Sequence, residues 1–168
     1  MHLCVTRERL VAPDDLHQVR WIVDSDSEAF GEPFQAGQDR GWTLEEWLEL
    51  KQQGYSYCGC FQGKRLCSVA GVWRRAPDVW EVIAAGTKDE YRRRGMAKAV
   101  VYFAADRVLN HVKAASYTTS PDNIASTRTA QSVGFSYCVN LVGKQKWCAL
   151  EARPLVGAEK CPLLTEQA

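Results

Sequence analysis

Three adjacent guanidinium groups, Arg92-Arg93-Arg94, followed by Gly95-Met96-Ala97, stand between an apolar run from Val82 to Gly86 and a stretch with helical periodicity. The N-terminal end of a helix already carries about half a positive charge and unpaired N–H groups. Cations stacked there are unfavourable until an anion compensates them, so this run predicts a seat for a phosphate-bearing ligand. Gly95 and Ala97 keep side-chain bulk away from the turn, which lets backbone N–H groups approach a diphosphate. A second candidate is Glu81, a carboxylate eleven residues before Arg92 that can take up a proton. Simple strand alternation puts its side chain on the same face as Ile83 and Ala85. His2, His17 and His111 stand apart from one another in sequence and read as surface or terminal groups rather than a catalytic set.

The elements that must position these groups follow from periodicity. Leu3 to Glu8 reads as a first strand, and Pro13-Asp14-Asp15 opens a helix carrying Leu16, Val19 and Val23 through about residue 28. Phe30 to Gly41 is a loop, after which Thr43-Leu44-Glu45-Glu46 is a capping box for a helix that buries Leu44, Trp47 and Leu48. Tyr55 to Phe61, Leu66 to Trp73 and Val79 to Thr87 are three strands with short connections, hence an antiparallel meander. Ala97, Val101, Ala104, Val108 and Val112 mark one helix face, and Ala115 to Thr119 is a strand behind it. That strand, helix, strand unit predicts parallel pairing. Pro121-Asp122-Asn123 caps a further helix that Gly134 stops, and Tyr137 to Val142 with Gln145 to Leu150 reads as a closing hairpin.

With 168 residues, 46% hydrophobic and 24% charged, the composition is that of one globular domain, taken as residues 1–152 with a weakly patterned tail at 153–168. The seven cysteines are odd in number and form no C-x-x-C pair, so free buried thiols are expected, with neither a disulfide framework nor a metal site. The first residues lack the apolar core of a signal peptide, and the longest apolar run, Ala99 to Ala105, is short of a membrane span, so a soluble cytoplasmic protein is expected. Net charge is +1, yet ten carboxylates lie between Asp14 and Glu49 against Arg20 and Arg40, while the segment from Lys64 to Lys113 is basic. One compact arginine cluster in a near-neutral chain argues against a nucleic-acid surface.

The order β α α β β β α β α β β, with Arg92-x-x-Gly95-x-Ala97 between the fourth strand and third helix, resembles the GNAT superfamily of acyl-CoA N-acyltransferases. Asn123-x-x-Ser126 followed by Gly134-Phe135 is similar to that family's second cofactor motif, and the resemblance covers nearly the whole chain. It implies an α/β (α+β) fold: a mixed, mostly antiparallel central sheet, helices on both faces, splayed between the fourth and fifth strands.

The resemblance further implies an N-acetyltransferase that uses acetyl-CoA without a metal, by direct attack in a ternary complex. Arg92, Arg93, Arg94, Gly95, Met96, Ala97 and Lys98 would surround the diphosphate, and Lys88 or one of the arginines would meet the 3′-phosphate. The pantetheine arm would lie against Ala84 to Thr87, with Ala85, Gly86 and Thr87 as cofactor-binding residues; Asn123 would hydrogen-bond its amides, and Ser126 of the same motif would also bind the cofactor. Glu81 would be the general base. The family's usual tyrosine acid falls on Ala130, leaving Tyr137, Tyr117, Ser126 or solvent to protonate the thiolate. Glu28, Phe30, Glu32, Phe34 and Trp42 occupy the acceptor region and suit a small cationic amine. The partner is thus a small-molecule amine, with no nucleic acid and no membrane; dimers are frequent among related proteins, so a homodimer is an expectation. A non-catalytic acyl-CoA-binding module and a protein or peptide N-acetyltransferase are the alternatives.

Overall fold

In the computed structural model, which describes residues 1–34 and 39–138, the chain runs β1 (His2–Thr6), β2 (Val19–Trp21), α1 (Ser27–Phe30), α2 (Leu44–Gln52), β3 (Tyr55–Gln62), β4 (Arg65–Ala76), β5 (Val79–Thr87), α3 (Met96–Val108), β6 (Ala114–Thr118), α4 (Ile124–Ser132) and β7 (Ser136–Tyr137). The strands form one seven-stranded sheet in the order β2-β3-β4-β5-β6-β1-β7. Every neighbouring pair is antiparallel except β5 and β6, the parallel pair that brackets α3. The meander, the parallel crossover and the mixed, mostly antiparallel sheet agree with the sequence reading. Most of the closing hairpin and the boundary at 152/153 lie outside the described residues.

Helices cover both faces because the strands of the meander are apolar on both. On one face Val100, Val101, Ala104, Ala105 and Val108 of α3 meet Val5, Cys58, Ala70, Val72 and Val82 of the sheet, all fully or nearly fully buried. A valine side chain moved from water into such a core contributes roughly 1.5–3 kcal/mol. On the other face Trp47 of α2 stacks on Phe30 with ring centroids 4.6 Å apart, and Tyr57, Phe61 and Val69 complete the cluster. The capping box forms as read: Thr43 Oγ1 accepts from the Glu46 N–H at 3.2 Å and a Glu46 carboxylate oxygen accepts from the Thr43 N–H at 2.8 Å.

Three expectations are corrected. Of Leu44, Trp47 and Leu48, α2 buries Trp47, while Leu44 and Leu48 are exposed. The helix over residues 13–28 is absent; Val19–Trp21 instead pairs with Cys58–Cys60 at the sheet edge, leaving Leu16 and Val23 exposed. Val19 and Trp21 are β-branched and aromatic, and Trp21 finds Phe103 of α3 edge-on at 5.4 Å, so a tertiary partner overrode the helical spacing. The expected free state of every cysteine also fails, because Cys4 and Cys138 are joined by a disulfide. Cys4 pairs with Ser136 in the β1–β7 register, which carries Cys138 alongside from 134 positions away. Cys58, Cys60 and Cys67 are buried free thiols.

Candidate functional site

A single displaced residue creates the cleft. The β4–β5 register slips by one between the pairs Gly71↔Ile83 and Val69↔Gly86, and Ala84 within that slip has a left-handed φ of +49°. A bulge of this kind reverses the alternation beyond it. Glu81 and Ile83 therefore share the α1–α2 face, whereas Ala85 turns to pack against the α3 core. The expected common face for Glu81, Ile83 and Ala85 holds for the first two only. Beyond the bulge β5 parts from β6, whose parallel pairing with it is confined to Glu81↔Ser116 and Val82↔Tyr117. The freed edge of β5 opens a cleft of about 560 Å³ lined by Ala85, Gly86, Thr87, Tyr117, Asn123, Ser126 and the start of α3.

At one end of this cleft the bend from Arg92 to Gly95 turns through left-handed backbone at Arg93 (φ +61°) and Gly95 (φ +80°). The first main-chain bond of α3 runs from the Ala99 N–H to the Gly95 carbonyl. Among the described residues no protein acceptor meets the amides from Arg93 to Lys98. The three arginines differ in role. Arg92 pairs with Asp89 at 2.7 Å, and Arg94 donates to the Glu90 carbonyl at 3.0 Å with its guanidinium over Tyr91. Arg93 lines the cleft with Lys98, and no carboxylate of the described residues pairs with either. Arg92, Arg93 and Lys98 all line the cleft, so their charge adds to that of the helix end; of the three, Arg93 and Lys98 carry no carboxylate partner among the described residues, while Arg94 is turned to the Glu90 carbonyl.

Deeper in the cleft the Tyr117 hydroxyl lies 2.8 Å from that of Ser126, tying β6 to α4. Burial pushes the Tyr117 hydroxyl above its ordinary pKa, with the Ser126 bond acting in the opposite direction. Asn123 caps α4 by accepting from the Ser126 N–H at 3.0 Å, which occupies its carbonyl oxygen. Gly134, at φ +101°, ends α4 and lets the Phe135 N–H return to the Ala130 carbonyl, setting the Phe135 ring edge-on to Tyr117 at 5.5 Å.

A family model described as the acetyltransferase (GNAT) family matches residues 17–135, from the edge strand to the end of the second motif. This chain belongs to the GNAT acetyltransferase family. Solved structures with the same fold include a GNAT-family protein from Novosphingobium aromaticivorans (21% identity, TM-score 0.59, covering 80% of this chain and 58% of that one). A GCN5-related N-acetyltransferase from Kribbella flavida (14%, TM-score 0.54, 81% and 53%) and a GCN5-related N-acetyltransferase-like protein from Streptococcus suis (16%, TM-score 0.55, 81% and 57%) are similar as well. The chain spans little more than half the length of these three. No curated protein matches the sequence.

Several expected GNAT site residues are placed away from the cleft. Tyr137 is half-exposed on β7 against Leu3 of β1, beyond β6 and on the far side of the sheet from β5. Lys88 is largely buried in an ion pair with Glu32. Hydrogen bonding to Lys88 holds the Glu32 carboxyl below its usual range. Phe30 and Trp42 pack inward on Trp47, and Glu28 is exposed on α1. Of the five acceptor-side residues, Phe34 lines the cleft, its ring 3.2 Å from where a Cβ on Gly86 would sit. Glu81 is 6% exposed, with Arg75 Nη1 3.3 Å from its carboxylate. Its Cα is four residues from Ala85, roughly 13 Å of strand.

One participant was invisible in the sequence. His17, itself left-handed at φ +49°, donates from Nε2 to the Arg94 carbonyl at 2.9 Å across 77 positions. No spacing rule connects such a pair. Among the described residues no group of three or more His, Cys, Asp or Glu side chains could hold a metal ion, and no helix is long and apolar enough to cross a membrane.

Proposed function

We propose that this GNAT protein is an N-acetyltransferase that moves an acetyl group from acetyl-CoA to a primary amine of a small cationic molecule, by direct attack in a ternary complex. The observation that carries this reading is the row of amides from Arg93 to Lys98 that meet no acceptor among the described residues, set beside Arg93 and Lys98 in one cleft. Those groups suit a diphosphate, and the unpaired edge of β5 from Ala85 to Thr87 suits an extended amide-bearing arm that adds as a strand would.

Each step then has a residue of this chain. A protonated amine has no lone pair, so Glu81, held by Arg75, accepts the proton that the acceptor sheds. A backbone N–H of the β5 edge donates to the oxygen on which charge develops as the new C–N bond forms. The C–S bond breaks and Tyr117, which keeps its proton at neutral pH, donates a hydrogen bond to the departing sulfur. A thiol of ordinary pKa about 8.5 is an adequate leaving group with that support, and solvent completes its protonation.

Ala130, fully buried at the family's usual tyrosine position, favours a second reading, an acyl-CoA-binding module without turnover. Thiol release from acetyl-CoA, measured against a panel of aminoglycosides, polyamines, amino acids and peptides, tests the first reading. Release with at least one small cationic amine is the expected result. Saturable acetyl-CoA binding with no release on any amine selects the second.

A further inference from the structure

The 94–95 peptide faces two environments. Its carbonyl accepts from His17 Nε2 at 2.9 Å, and Gly95 lines the cleft. His17 belongs to a separate hollow behind the bend, with Asp15, Gln18 and Met96. In a trans peptide the C=O and N–H vectors are antiparallel, so a carbonyl drawn toward His17 sends the Gly95 N–H away from it, and among the described residues that N–H meets no protein acceptor. A bend with left-handed residues at Arg93 and Gly95 has other ways to turn that peptide, and α3 itself does not fix it, because its first main-chain bond uses the Gly95 carbonyl rather than that of Arg94.

The imidazole is itself held. The Asp15 carboxylate accepts from the His17 N–H at 2.7 Å through Oδ1, and its Oδ2 lies 3.3 Å from Nδ1. The ring is largely buried, and Nε2 is 3.5 Å from where a Cβ on Gly95 would stand. A side chain anchored at its own backbone and aimed at one carbonyl of the bend is placed to set that carbonyl's direction.

We infer that His17 is a positioning residue for the diphosphate seat: by holding the Arg94 carbonyl it directs the Gly95 N–H at the anion, without touching the ligand. This rests on the acetyl-CoA reading given above. It assigns a role to the loop before β2, which contributes no side chain to the cleft among the described residues.

The test is calorimetric titration of acetyl-CoA into the wild-type chain, His17→Phe, His17→Asn and His17→Gln, with the thermal midpoint of each. Phenylalanine keeps the bulk and removes the donor; the asparagine amide falls short of the carbonyl; the glutamine amide reaches it and can donate. Phe and Asn are expected to weaken binding about tenfold, the loss of one well-placed hydrogen bond. Gln is expected to stay within about threefold of wild type, with similar thermal midpoints throughout. Unchanged affinity in His17→Phe and His17→Asn, or a His17→Gln as weak as they are, overturns the inference. A merely structural role would lower all three midpoints together and give no rescue by glutamine. Should the wild-type chain itself show no saturable binding, the acetyl-CoA reading falls and this inference with it, a result distinct from any difference among the variants.

Discussion

The Tyr117 and Ser126 hydroxyls meet at 2.8 Å in the lining of the cleft, so a phenol carried by β6 is braced by α4. Ala130 is sealed into the core and Tyr137 sits at the far end of the sheet order; Tyr91 and Tyr117 line the cleft, the Tyr91 ring lies beneath the Arg94 guanidinium, and Tyr117 is the tyrosine we propose for the departing thiolate. Tyr117→Phe is expected to lower kcat by roughly 10²-fold while the acetyl-CoA Kd changes little. Ser126→Ala is expected to fall between that variant and wild type. Steady-state rates beside calorimetric Kd values check both, and a Tyr117→Phe enzyme with full kcat removes Tyr117 from the chemistry.

Glu81→Gln removes the proton acceptor yet keeps the shape and a hydrogen-bond partner for Arg75. Turnover is expected to drop by about 10²-fold at neutral pH with acetyl-CoA affinity retained. The loss should be partly recovered at alkaline pH, where more of the acceptor is already an unprotonated amine. A pH–rate profile that overlays that of wild type contradicts a role for Glu81.

A Cβ on Gly95 would stand in ordinary van der Waals contact with His17 Nε2 at 3.5 Å without a clash, so the cost of a side chain there is conformational. At φ +80° an L-residue is disfavoured, and Gly95→Ala is expected to destabilise the fold by about 1–2 kcal/mol. Acetyl-CoA binding should weaken as well, because the bend relaxes away from its left-handed turn. Urea unfolding and titration measure the two effects; full stability with full affinity would contradict the geometry of the bend.

The Arg40 guanidinium, with the Thr43 N–H, holds the Glu46 carboxyl down to about 2 from an ordinary 4.5. A carboxyl depressed in the folded state stabilises above its unfolded pKa, and that contribution is lost as pH falls through the folded pKa. Stability is therefore expected to decline between about pH 4.5 and 2, and Glu46→Gln should flatten that segment of the curve. Because the pair is exposed, the effect should also shrink in high salt. Thermal midpoints across this range, at two salt concentrations, provide the check.

What was legible in the sequence was local or motif-borne. The capping box at Thr43, the meander and the Gly134 stop each depend on neighbours within a few residues, and each formed as read; of the α3 stripe, Val101, Ala104 and Val108 are buried, whereas Ala97 lines the cleft and Val112 lies past the helix end. Val19–Trp21 was misread because its helical spacing is real but its partners, Cys58–Cys60 and Phe103, lie far along the chain. The orientation of Ala85 was misread because period-two alternation takes no account of the bulge at Ala84. The Arg92–Arg94 run is visible as sequence, yet only the fold shows that Asp89 pairs with Arg92, that the Glu90 carbonyl engages Arg94, and that Arg92 and Arg93 line the cleft with Lys98. His17 and the Cys4–Cys138 bond are contacts of long separation, 77 and 134 positions, and no residue pattern announces them.

We place the diphosphate of acetyl-CoA in the cleft at the start of α3, against Arg93, Lys98 and amides that meet no acceptor among the described residues. Calorimetric titration of acetyl-CoA into the wild-type chain and into Arg93→Glu/Lys98→Glu tests it most directly. The account predicts saturable one-to-one binding to wild type, weakened at least about a hundredfold in the double variant with its thermal midpoint unchanged. No saturable binding to wild type, or equal affinity in the charge-reversed chain, would contradict it.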